Sequence, residues 1–121
     1  MRIDFEKAIE HINGVTRFMN KGSLKEAESF LKSDEEILNV ENVNLDKGPG
    51  ILVVTDKRVY FTFKVISNYE FKQIPYNEIN SVDLDSLGGK MEIKTNHTSF
   101  KIKSINSKRS KEIRRNILDR I

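Results

Sequence analysis

The chain has 121 residues, 37% of them hydrophobic and 32% charged, which suits one globular domain with a real core rather than two domains or a disordered chain. Cysteine is absent, which excludes disulfides, thiolate nucleophiles and thiolate metal sites. The net charge of +3 is unevenly placed: residues 90–121 hold ten Lys or Arg against three Asp or Glu, whereas residues 1–89 carry a net −4.

Residues 1–35 read as helical. Phe5, Ala8, Ile9, Ile12, Val15 and Met19 recur at steps of three and four, which lines one face of a helix. Gly14 weakens that helix and is expected to bend or end it, and Lys21-Gly22 is expected to break the chain. Ser23 then offers an N-cap with Glu26 three residues on, so a second short helix follows, giving an αα-hairpin or one bent helix followed by a short one. The opening MRIDFEKAIEHI carries acids and bases where a secretory signal needs an apolar block, and no apolar run reaches ~18 residues. The expected location is the cytoplasm, at most peripheral to a membrane.

From Glu36 the periodicity changes to two. Ile37 to Val43 is a strand of mixed quality, and Asp46 to Gly50 is a turn rich in Gly and Pro. Ile51–Thr55 and Arg58–Val65 are two β-prone runs around Asp56-Lys57, which reads as a hairpin on a half-buried surface. Val59, Phe61 and Phe63 share one face of the second run, Tyr60 and Thr62 the other. Ser67-Asn68 turns into a strand over 69–74, which Pro75 stops because it has no N–H. One helical turn over 76–78 precedes a strand over 79–84. Strands over 90–95 and 98–105 pair across Asn96-His97. Ile113, Ile117 and Ile121 mark a final amphipathic helix from residue 106 or 107. Seven short antiparallel strands must close into a barrel or split sandwich to hide their edges, with the last helix over an open end.

The motifs resemble a known family. VVTDKRVYF at Val53–Phe61 is similar to the second-to-third strand hairpin of bacterial pleckstrin-homology (PH) domains and of the related GRAM domains. IPYNEINSV at Ile74–Val82 resembles the segment entering their fifth strand, and GGKMEIKT at 88–95 their sixth. The YokE-like group of bacterial PH domains is the best match, over about residues 33–121. The resemblance implies an α+β, mainly β fold: a PH-like seven-stranded antiparallel split barrel capped by a C-terminal helix. Residues 1–33 would be an N-terminal helical extension and 34–121 the barrel plus helix, in one compact domain. It also implies a non-catalytic interaction module without a cofactor. Many eukaryotic relatives hold an inositol phosphate on bases of the first two strands. Here that segment offers Lys47 against Glu36, Glu41 and Asp46, which argues against that ligand.

No catalytic constellation accompanies the fold signature. His11 and His97 lack ligand-spaced partners, and neither Gly48-Pro49-Gly50 nor Gly88-Gly89-Lys90 has phosphate-loop spacing. Asp83 and Asp85 read as a solvated turn pair. Two surfaces are candidates for binding. The stripe of Phe5, Ile9 and Ile12 is either core or a docking face for a protein or a second copy of the chain. Lys94, Lys101, Lys103, Lys108, Lys111 and Arg115 would make a basic surface for anionic lipid. A nucleic-acid role fits poorly, because Ser23–Leu31 carries Glu26 and Glu28 where a recognition helix would be basic. The leading expectation is a protein-binding module, with peripheral lipid binding as the alternative.

Overall fold

The computed structural model describes residues 2–121, so the first residue of the expected helical segment lies outside it. Three short helices open the chain: α1 (Ile3–Ala8), α2 (Gly14–Met19) and α3 (Lys21–Ser29). Seven strands follow: β1 (Ile37–Leu45), β2 (Gly48–Thr55), β3 (Arg58–Val65), β4 (Asn68–Pro75), β5 (Ile79–Leu84), β6 (Met91–Thr95) and β7 (Ser99–Ile102). A 3₁₀ turn at Tyr76–Glu78 separates β4 from β5, and α4 (Ser107–Leu118) ends the fold. The strands form two antiparallel sheets, β1-β2-β3-β4 and β5-β6-β7, joined at one corner by a bridge between Asn44 and Lys103.

The inner faces of the two sheets enclose the barrel core. Leu52, Val54, Val59, Phe61, Ile74, Val82, Ile93 and Ile102 meet there, and Ile113 and Ile117 of α4 close one end. The amphipathic pattern of α4 is thus spent on the barrel. Asn106 caps this helix by accepting from the Lys108 amide at 2.9 Å.

A second core lies on the outside of the four-stranded sheet. Phe5, Ile9, Ile12, Leu24 and Ala27 pack there on Val40, Ile51, Val53 and Tyr60. The Tyr60 hydroxyl donates to the Ala27 carbonyl at 2.6 Å and Thr62 Oγ1 to the Ser23 carbonyl at 2.9 Å. Burial pushes the Tyr60 phenol well above its usual range. The expected half-buried hairpin is therefore corrected. From Ile51 to Thr55 and from Arg58 to Phe63 every residue is buried, because the barrel covers one face and the helices the other.

The N-terminal segment also differs from the expected hairpin of helices. Asn13 accepts from the Thr16 amide at 2.8 Å, so Gly14 begins a helix rather than bending one. Lys21-Gly22 starts α3 instead of breaking the chain, and Ser23 is buried inside that helix. His11 and Arg109 tie this segment to the barrel through one buried carboxylate, Glu41, at 3.0 and 2.6 Å.

Candidate functional site

Phe5, Ile9 and Ile12 are 0%, 6% and 3% exposed, so the expectation of a partner-facing stripe is corrected. They fill the space between the helices and sheet because the outer face of β2 and β3 is itself apolar and must be covered. The N-terminal segment leaves Val15, Phe18 and Met19 of α2 in solvent, along with Ile3 and Phe30.

The six C-terminal cations do not make one positive field. Lys94, Lys101 and Lys103 stand exposed on the three-stranded sheet. Lys94 lies 3.6 Å from Asp83 and 3.8 Å from Glu92, and Lys101 is the cross-strand partner of Glu92. Lys111 and Arg115 of α4 flank a hollow that also holds Asp83, Glu112 and Asp119. Lys108 is exposed in the first turn of α4. Acids interleave with bases across this face, which lowers its attraction for a polyanion.

A different concave feature lies at the mouth between the two sheets. Its volume is about 240 Å³, and its floor is Phe61 and Phe63 of β3 with Phe100 of β7. The Phe61 and Phe100 rings are 5.8 Å apart between centroids, inclined by 22°. Period-two alternation puts Phe61 and Phe63 on the inner face of β3, and register places Lys72 of β4 opposite Phe61. Lys72 and Lys101 line the groove with Lys47 from the β1–β2 turn, beside one acid, Asp46. All three lysines are exposed, whereas Phe61 and Phe63 are buried. The result is an apolar aromatic floor under a cationic rim.

Of the expected site residues, only Lys101 lines this groove. Lys72 and Lys47 are far apart in sequence, and nothing local marks them. The available signal was the strand register: once β3 pairs with β4, Lys72 must share the face of Phe61 and Phe63.

The buried polar groups under the β2–β3 turn are structural. Thr55, Glu35 and Arg58 form a closed network under the β2–β3 turn, with Thr55 Oγ1 2.6 Å from Glu35 Oε2. The Tyr76 hydroxyl donates to the Thr55 carbonyl, and burial pushes its phenol up to about 12. Among the described residues no helix is long and apolar enough to cross a membrane.

Comparison with known proteins agrees with the architecture. A family model described as bacterial PH domain matches residues 31–118. Similar solved structures include the linker-DH/PH fragment of p115-RhoGEF, with a TM-score of 0.59 and 7% identity over 96% of this chain and 37% of that one. Another is the DH/PH fragment of PDZRHOGEF in complex with human RhoA, with a TM-score of 0.55 and 6% identity over 96% and 35%. A third is the C-terminal domain of an unknown protein from Leishmania infantum, with a TM-score of 0.54 and 16% identity over 88% and 97%. The chain thus spans about a third of the two RhoGEF chains, and at these identities the likeness is one of fold. No curated protein matches in sequence.

Proposed function

Because the chain belongs to the bacterial PH-domain family, whose members are typically non-catalytic interaction modules, we propose that it is a protein-binding module whose groove between the sheets takes an acidic segment of a partner protein. The observation that carries this reading is the pairing of a three-phenylalanine floor with a rim of Lys47, Lys72 and Lys101. Such a groove suits an apolar side chain flanked by carboxylates. The apolar group loses contact with water on the Phe floor, and the acids meet cations whose long stems let them follow the ligand. The loss of Phe5, Ile9 and Ile12 to the core leaves the groove as the better concave docking place.

Fluorescence anisotropy with a labelled peptide of alternating Glu and Leu tests the reading. Binding is expected to weaken as salt rises and to fall about tenfold in Lys72→Glu and Lys101→Glu, with thermal unfolding unchanged. Equal binding by a peptide in which Lys replaces Glu would contradict it.

A further inference from the structure

Helix α2 buries none of its residues. Val15, Phe18 and Met19 are 71%, 79% and 78% exposed. A six-residue helix is far too short to be stable in water on its own propensity, and exposed apolar side chains add nothing there. Within the segment that carries it, the charge has one sign. From Asn13 to Lys25 the chain carries Arg17, Lys21 and Lys25 and no acidic residue. The sheet contributes a fourth cation, since Met19 shares a hollow with Lys64 and Tyr69.

Two residues beyond Lys64, at the tip of the β3–β4 hairpin, Ile66 is 92% exposed with φ of 58°. The left-handed region is costly for a β-branched residue, and turns place Gly or Asn there. An apolar side chain is thus held in water, at a backbone cost, on the same end of the four-stranded sheet as the α2 trio.

We propose that α2 and the β3–β4 tip together form a contact with an anionic bilayer surface. Val15, Phe18, Met19 and Ile66 enter the interfacial layer, while Arg17, Lys21, Lys25 and Lys64 reach lipid phosphates. Val15, Phe18 and Ile66 stand exposed on a short helix and on a turn tip, Met19 borders a shallow hollow beside Lys64, and the segment from Asn13 to Lys25 carries cations alone. That chemistry matches a lipid surface more closely than a folded protein. The assignment goes beyond the groove and does not depend on it, since neither α2 nor Lys64 and Ile66 line that groove.

Co-sedimentation of the full chain with vesicles tests it, using phosphatidylcholine alone and phosphatidylcholine mixed with phosphatidylglycerol. Binding is expected on the mixed vesicles, with little on the neutral ones, and it should fall with added salt. Replacing Arg17 and Lys21 together by Gln should weaken binding about 25-fold, at roughly fivefold per cation near the surface. Phe18→Ser should cost about tenfold. Ile66→Asn should also weaken binding, and because Asn tolerates the left-handed conformation this variant keeps its fold. Equal binding to neutral and anionic vesicles would overturn the proposal, as would binding indifferent to Phe18 and Ile66. Self-association abolished by Phe18→Ser, without vesicle binding by the parent chain, would assign the face to a second copy and overturn it too.

Discussion

Arg58 and Glu35 meet as a buried two-point ion pair, with Nε 2.9 Å from Oε2 and Nη2 3.0 Å from Oε1. The same guanidinium donates to the Phe30 carbonyl at 2.6 Å and to Gln73 Oε1 at 2.9 Å. It also lies over the Tyr60 ring, 4.7 Å from the centroid. One side chain of the β2–β3 hairpin thus holds the end of the helical segment, the β1 lead-in and β4. Removing one partner strands the other charge in a buried site. Arg58→Ala is expected to cost about 3–5 kcal/mol in chemical denaturation. A loss within ~0.5 kcal/mol would mean the pair is not shielded from water.

Glu35 also sets a pH dependence. Burial alone would raise its carboxyl, but hydrogen bonds from Arg58, Thr55 and the Lys32 amide outweigh that and hold it down to about 2. A carboxyl whose pKa is lower in the folded chain contributes stability that is fully present above its unfolded value, near 4.5, and is lost as pH falls toward about 2. The stability gap between the parent chain and Glu35→Gln should therefore narrow across that window and stay constant above it. Denaturation midpoints taken along a pH series measure this directly. A gap that widens on acidification would refute the assignment.

Phe5 and Phe18 lie thirteen residues apart and differ completely in burial, at 0% and 79% exposed. Phe5→Ala should cost about 3–5 kcal/mol through the cavity it leaves. Phe18→Ala should change stability by no more than ~0.5 kcal/mol. Thermal unfolding of the two variants side by side distinguishes core from surface in this segment.

Gly50 sits within β2, where an added Cβ would lie 2.8 Å from Leu45 Cδ1 and 3.1 Å from the Thr62 carbonyl oxygen of the neighbouring strand. Gly50→Ala is expected to destabilise by about 1–3 kcal/mol, since the backbone of β3 cannot move aside as a side chain could. Gly89→Ala, with open space around its Cβ, should be near neutral by comparison. Equal effects at the two glycines would contradict the strand assignment of Gly50.

Much of the barrel was legible because its signals are local. Asp56-Lys57, Pro75 and Asn96-His97 punctuate the strands where the structure turns, and the period of Ile113 and Ile117 marks α4. The N-terminal segment was harder. Its apolar residues fit one long helical stripe, yet Asn13 caps a new helix at Gly14, and this turns Val15 and Met19 away from the face that Phe5 and Ile9 bury. The uninterrupted run Ile51-Leu52-Val53-Val54 carried the missing information. A strand apolar at every position must be covered on both faces, and only the N-terminal helices could supply the second cover. The groove was illegible for another reason. Lys47, Phe61, Lys72 and Phe100 come from four separate elements, and only the register of β3 on β4 and the meeting of the sheets bring them together.

Amide chemical-shift mapping during titration with the Glu-Leu peptide tests the interaction-module reading most directly. Perturbations should concentrate on Lys47, Phe61, Phe63, Lys72, Phe100 and Lys101 and should vanish in a Lys72→Glu, Lys101→Glu double variant. Saturable binding that perturbs α4 or the outer face of β6 and β7 while leaving those residues unmoved would contradict it.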